Sequence, residues 1–267
     1  MHIDQMNRSV RIPVAPQRII SLVPSQTEFL YDIGLGDRLV GVTKFCVHPE
    51  HIRQEKSIVG GTKDFKIDRI RQLKPDLIIG NKEENIKHLI EALAEEFPVW
   101  MSDIKTVDDA TEMMQWVGEI TDTISETTRI VEKIHQNFNR LDEQEWSTKR
   151  VAYFIWKKPL MVAGEDNIIT HLMGRLKWEN VFSSELGFQT NGNTRYPSIK
   201  ADDLVDAQPD LILLSSEPYP FREKHLIEFE QLCPQAKVLL VDGEMFSWYG
   251  SRLQYAPEYF KSLLSAI

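Results

Sequence analysis

The chain is 267 residues long, near the upper limit for a single hydrophobic core, so two lobes of about 120 residues each fit its size. Its formal net charge is −9 with acidic and basic residues interspersed, which argues against a phosphate-tracking basic stripe and against nucleic acid as a partner. Cys46 and Cys233 are too few for a disulfide framework, although one bridge between them stays open, and no run approaches the roughly 20 apolar residues of a membrane span.

In chain order, residues 2–13 read as a small hairpin and 19–23 as the first buried strand. Pro24 and Ser25 then open a helix. Ser25-Gln26-Thr27-Glu28 has the capping-box pattern, which assigns Glu28 to the helix start as the partner of Ser25, and Gly34 and Gly36 supply the stop. Strands are expected at 39–42, 77–79 and 99–101, with a helix beginning at Pro49 and another near Glu83. A helical stretch from Val107 to about Glu145 breaks once at Thr123-Ile124-Ser125-Glu126, a second capping-box pattern. Its second helix runs through Ile130, Ile134, Phe138 and Leu141 and spans roughly 33 Å at 1.5 Å per residue. Beyond it, strands are expected at 151–155, 211–214 and 238–241, with helices at 168–176 and 252–264. Strands alternating with helices imply parallel sheets.

One pattern occurs twice, 134 positions apart. Asp68-Arg69-Ile70-Arg71-Gln72-Leu73-Lys74-Pro75-Asp76-Leu77-Ile78-Ile79 answers to Asp202-Asp203-Leu204-Val205-Asp206-Ala207-Gln208-Pro209-Asp210-Leu211-Ile212-Leu213. Each copy reads as a short helix stopped by proline and followed by a buried strand. Arg18-Ile19-Ile20-Ser21-Leu22 and Arg150-Val151-Ala152-Tyr153-Phe154 correspond at an offset of 132. The expected fold is therefore α/β, two Rossmann-like lobes with parallel sheets joined by one long backbone helix: residues 1–122, a connecting helix at 123–146, and residues 147–267.

Arg18 to Glu28, then Gly34-Leu35-Gly36-Asp37-Arg38-Leu39-Val40-Gly41-Val42, then Leu73-Lys74-Pro75-Asp76-Leu77-Ile78-Ile79 resemble the periplasmic binding proteins that deliver cobalamin, haem or ferric siderophores to ABC importers, the helical-backbone metal receptors. The likeness covers nearly the whole chain, most strongly residues 10–120. It implies a metal-chelate ligand held in an inter-lobe cleft, little hinge motion, no covalently bound cofactor, a monomer, and docking of one acid per lobe onto permease arginines. Those docking acids, usually glutamates in the family, fall on Asp68 and Asp202. The competing reading of both is a carboxylate favouring its helix dipole.

Ligands of open α/β sheets bind at strand carboxyl ends, so loops there supply the candidates. Phe45 and His48 lie after the strand at 39–42, where family members place aromatic side chains against the ligand. Cys46, His48 and His51 carry transition-metal donor types but match no standard zinc spacing, so no metal site is assigned. Asn81 and Glu83 follow the third strand. Trp156, Arg195 with Tyr196, and Trp248, Tyr249 and Arg252 place aromatics and arginines in three later loops, which suits a flat or anionic chelate. Packing of Trp156 and Trp248 between lobes is the alternative. The cobalamin binders of the family carry a tryptophan near the position of Thr62, and its absence weighs against cobalamin.

No GxGxxG, P-loop or GxSxG pattern occurs, so no enzyme is read here. The alternative function is cytoplasmic metal-chelate handling or a chelatase-type enzyme with His48 as metal acceptor. Residues 1–16 show neither a basic segment followed by an apolar one nor a lipobox cysteine. With no export signal in this chain, the expected place is the periplasm or cell surface if a leader was removed, and the cytoplasm otherwise.

Overall fold

Pro-Asp followed by an aliphatic run builds the same local structure twice, and the computed structural model shows why. It describes residues 1–188, 192–265 and 267. In the first half β1 (His2–Ile3) and β2 (Ser9–Val10) form an antiparallel hairpin. Then come β3 (Ile19–Ser21), α1 (Pro24–Leu30), β4 (Leu39–Val42), α2 (Ile52–Glu55), β5 (Ser57–Ile58), α3 (Ile67–Leu73), β6 (Leu77–Asn81), α4 (Lys87–Ala94) and β7 (Val99–Ser102). The five strands from β3 to β7 make one parallel sheet in the order β5-β4-β3-β6-β7. Ile20, Leu22, Ile70, Ile78, Ile90 and Leu93 are buried together on it.

Two helices follow, α5 (Val107–Thr121) and α6 (Ile124–Asp142). The break between them falls at Asp122, whose φ of 58° lies in the left-handed region. The Gly118 Cα sits so close to Thr127 that a Cβ there would come within 2.6 Å of its hydroxyl, so glycine lets the two helices meet. α6 has 19 residues, about 28 Å. It ends at Asp142 rather than near Glu145.

The second half contains β8 (Lys149–Trp156), β9 (Leu160–Val162), α7 (Ile168–Arg175), β10 (Trp178–Asn180), β11 (Ser198–Ile199), α8 (Ala201–Ala207), β12 (Leu211–Ser215), α9 (Glu223–Leu232), β13 (Lys237–Val241), α10 (Gly243–Ser247) and α11 (Ala256–Ser265). β10, β8, β12 and β13 are parallel, whereas β9 pairs antiparallel with β8 and with β11, so this sheet is mixed. Its core includes Phe154, Phe182, Leu204, Ile212, Leu214 and Phe229.

Two compact units result. One comprises residues 1–104, 108–135 and 249–254, the other 105–107, 136–248 and 255–267, so the boundary falls inside α6 and again between Trp248 and Tyr249. Within each unit the repeated residues close on one another. Asp76 accepts from the backbone N–H groups of Gln17 (2.8 Å) and Arg18 (2.7 Å), and the Arg18 guanidinium donates to the Leu73 carbonyl that ends α3 (2.9 and 2.6 Å). Asp210 likewise accepts from the Arg150 N–H (2.8 Å), and Arg150 donates to Ala207 O at the end of α8 (2.8 Å). Lys74 and Gln208, before the two prolines, both take left-handed backbone, with φ of 44° and 47°. The duplicated pattern is a clamp joining a helix end to two strand starts.

Several local expectations are corrected. Pro24 sits at the first turn of α1 and Val23 is its N-cap, so Ser25 lies inside the helix and caps nothing; Glu28 is therefore not its capping partner. The helix after Pro49 starts only at Ile52, the one expected near Glu83 starts at Lys87, and the closing helix starts at Ala256 after a 3₁₀ turn over Ser251–Gln254. Among the described residues no helix is long and apolar enough to cross a membrane.

Candidate ligand-binding residues at the strand carboxyl ends

In the first unit, the loop after β4 turns on Thr43 and Cys46. Cys46 is fully buried, its sulfur 3.2 Å from the Thr27 hydroxyl and 3.3 Å from that of Thr43, and burial pushes its thiol pKa up. A buried protonated thiol is no metal ligand. His51 instead shares a hydrogen bond with the Tyr31 hydroxyl (3.0 Å), so Cys46, His48 and His51 do not assemble a donor set; no group of three or more metal-binding side chains occurs among the described residues. Cys46 and Cys233 are both free and buried.

Phe45 is 51% exposed, a large ring left in water. Lys44 lies over it, its ammonium 5.1 Å from the ring centre, and is held there by Asp64 at 3.2 Å. Gly61 donates its N–H to Asp64 (2.8 Å), and a Cβ at Gly61 would collide with that carboxylate. Ring, lysine and glycine turn therefore form one shelf.

Asn81 ends β6 and is buried, its side chain already engaged: it donates to Ser102 Oγ (3.0 Å) and accepts from the N–H groups of Glu83 (2.8 Å) and Glu84 (3.2 Å). Asn85 returns a bond to the Asn81 N–H (2.9 Å) and donates to Thr62 O (2.9 Å), and Gln26 donates to Ser102 (2.6 Å). The network fixes the carboxyl ends of β6 and β7 to α1 and the glycine turn. Asn81 serves as its brace.

Glu28 meets Arg252 in a bidentate pair, Nε to Oε2 at 2.9 Å and Nη2 to Oε1 at 2.6 Å, with side chains only 12% and 14% exposed. Burial raises the Glu28 pKa; Arg252 and, more weakly, His48 oppose the rise, while Asp32 adds to it. Ser251 donates to Asp32 (2.5 Å) beside the pair. Gly250 makes room for this, since a side chain there would strike the Ser25 carbonyl. Tyr249 is 7% exposed.

In the second unit Trp156 ends β8, 38% exposed, its N–H donated to Lys158 O (3.1 Å) and its ring edge-on to Tyr219 with centres 5.6 Å apart. The loop bearing the half-buried Arg195 and Tyr196 is pinned by its backbone: Gly164 N–H donates to Arg195 O (2.8 Å), and any side chain at Gly164 would meet Thr194 O. Trp248 is 6% exposed and donates its indole N–H to Glu217 Oε1 (2.8 Å), which also accepts from Ser247 Oγ (2.7 Å). Thus Trp248 packs with the second unit while Tyr249 and Arg252 pack with the first.

Glu217 escaped the sequence reading, although the 134-residue offset carries Glu83 onto it. It follows β12, and burial raises its pKa against the bonds from Ser247 and Trp248, with Glu244 and Asp242 pushing the same way as burial. Asp68 and Asp202 stand in the first turns of α3 and α8; the Asp68 side chain is 86% exposed and reaches Arg71 at 2.8 Å, and Asp202 is exposed.

A family model described as periplasmic binding protein matches residues 19–240. The vitamin B12-binding protein of Pectobacterium carotovorum is 26% identical over 257 residues, covering 94% of this chain and 90% of that protein. That of Vibrio parahaemolyticus is 25% identical over 202 residues, covering 74% and 70%. Among solved structures, the periplasmic vitamin B12-binding protein of Vibrio cholerae superposes with a TM-score of 0.81 at 22% identity, covering 95% of this chain and 98% of that one. The periplasmic haem-binding protein of the same organism gives 0.75 at 19% identity, covering 93% and 98%.

Proposed function

This chain belongs to the periplasmic binding protein family, and from that premise we propose that it is the solute-binding component of an ABC importer for a metal chelate, which it holds without chemical change. The observation that carries this reading is the family match over residues 19–240, joined by curated relatives that bind vitamin B12. They favour a corrinoid among chelates, although no tryptophan stands near Thr62, and they count against a chelatase-type enzyme.

We assign ligand contact first to Phe45 and Trp156, exposed rings at strand carboxyl ends. His48, Tyr249 and Arg252 of the first unit and Arg195, Tyr196 and Trp248 of the second are the further contacts we assign, with Asn81 bracing the strand ends of the first unit. An exposed aromatic held by neighbours offers a flat macrocycle stacking area at little entropic cost. Asp68 and Asp202, each in the first turn of an equivalent helix, are the acids that would pair with permease arginines. The working division is residues 1–122, 123–146 and 147–267, acting as a monomer in the periplasm or at the cell surface, with no covalent cofactor and no nucleic-acid partner.

Titration of intrinsic tryptophan fluorescence with cyanocobalamin, haem and ferric siderophores tests the proposal. Saturable quenching by at least one of them is expected, and a flat response to all rejects it.

A further inference from the structure

Among the described residues no cation pairs with Glu217. Both donors to its side chain, Ser247 Oγ and the Trp248 indole, use the same oxygen, Oε1, and among the described residues no donor reaches Oε2. Two acids, Asp242 and Glu244, act on it in the same direction as burial. A carboxylate kept half-buried under these conditions costs stability unless something else uses it.

The position is built, and not a chance surface orientation. Tyr153 donates to Ser215 Oγ (3.1 Å), and Ser215 Oγ donates to the Glu217 carbonyl (2.6 Å). Ser216 accepts from the Gly243 N–H (2.9 Å) and donates its own N–H to Val241 O (2.9 Å). Gly243 leaves space for the turn, because a Cβ there would lie 2.6 Å from Glu217 Cγ. Two residues on, Tyr219 packs against Trp156. The turn at 215–219 thus runs from the buried Trp248 to the exposed Trp156, two residues assigned to ligand contact, at the carboxyl end of β12.

We infer that Glu217 is a specificity-determining residue of this edge: Oε1 fixes the Trp248 indole, and Oε2 accepts a hydrogen bond from an N–H or O–H donor on the periphery of the bound chelate. A chelate edged with amides is then accepted, and one that puts a carboxylate at this point is refused, because two carboxylates meet without a donor between them. The inference rests on the proposed chelate-binding function and adds which peripheral chemistry is selected.

The test compares ligands of one shape that differ only at the periphery: cyanocobalamin against its monocarboxylic acids, in which one propionamide is hydrolysed, and haem against its bis-amide. Wild-type protein is expected to bind the amide form of whichever macrocycle it takes about tenfold to a hundredfold more tightly than at least one carboxylate form, the range for a hydrogen bond to an ionised group. In Glu217→Gln the amide oxygen can still accept from Trp248, while its NH₂ becomes a donor, and the ratio is expected to fall below about threefold. Glu217→Ala, which also releases Trp248, is expected to weaken both forms. Near-ultraviolet circular dichroism of each variant reports that the fold is kept. Binding of a macrocycle with no discrimination in wild type, or a ratio unchanged in Glu217→Gln, overturns this inference alone. Binding of none of the four overturns this inference, and the proposed function falls with it only if ferric siderophores, titrated in parallel, are not bound either.

Discussion

Replacing Arg252 by methionine is expected to destabilise the protein by roughly 3 kcal/mol at pH 7 and by far less at pH 5. The guanidinium holds Glu28 through two bonds of 2.9 and 2.6 Å in a nearly dry setting, with Asp32 close by. Methionine preserves much of the volume and strands the carboxylate. Glu28 then has one escape, which is to take up a proton. From its ordinary value of 4.5, protonation at pH 7 costs about 3.4 kcal/mol at 1.36 kcal/mol per pH unit. That caps the cost of the stranded charge and sits within the range of about 3–5 kcal/mol for breaking a buried pair. At pH 5 the same step costs only about 0.7 kcal/mol. The sign agrees with the intact pair, where burial outweighs the guanidinium and leaves the Glu28 pKa raised. Urea unfolding followed by tryptophan fluorescence at pH 7, 6 and 5 measures the difference. A loss below about 1 kcal/mol at pH 7, or one that grows on acidification, would mean that Glu28 is not stranded by loss of the guanidinium. Glu28→Gln added to Arg252→Met is expected to recover most of the loss, because no charge is then left unpaired.

Glu217 gives a second pH signature. Its folded pKa is raised, so the stability it contributes is fully present below its unfolded value and is lost as pH rises through the folded one. Glu217→Gln, which cannot ionise, should therefore gain in Tm relative to wild type between pH 4 and pH 8, and a difference that stays constant with pH contradicts this. Gly243→Ala forces a Cβ to within 2.6 Å of Glu217 Cγ and 3.1 Å of its N, so a loss of about 1–3 kcal/mol is expected together with altered Trp248 emission; wild-type stability and emission together would exclude the packing described. Asp68→Ala with Asp202→Ala should leave chelate affinity unchanged while lowering uptake by a reconstituted importer, and full uptake would remove both acids from the docking role.

Much of the architecture was legible because the same pattern is written twice. Pro75-Asp76 and Pro209-Asp210 each stop a helix, cap the start of a neighbouring strand and open a buried one, so a local reading and a repeat comparison agree. Short elements were less legible: β5 and β11 have two residues each and β9 three, too few for a periodicity to show. The site was harder still. Ser25 and Glu28 fit a capping box in spacing, but Pro24 already supplies the first helical turn, and the true partner of Glu28 lies 224 residues away. Asn81 was found by its place at a strand end, yet its amide is consumed by Ser102, Glu83 and Glu84. Trp248 and Trp156 look alike in sequence; only packing separates the ring that is 6% exposed from the one that is 38% exposed. Glu217 was within reach through the 134-residue offset applied to Glu83.

Equilibrium dialysis of the purified protein against cyanocobalamin, with haem and a ferric siderophore in parallel, tests most directly that the chain holds a metal chelate and leaves it unaltered. One equivalent of one chelate is expected to be retained per chain and recovered on unfolding with its absorption spectrum and mass unchanged. Equal concentrations on both sides of the membrane for all three, or a retained chelate released with its metal or ring altered, would contradict it.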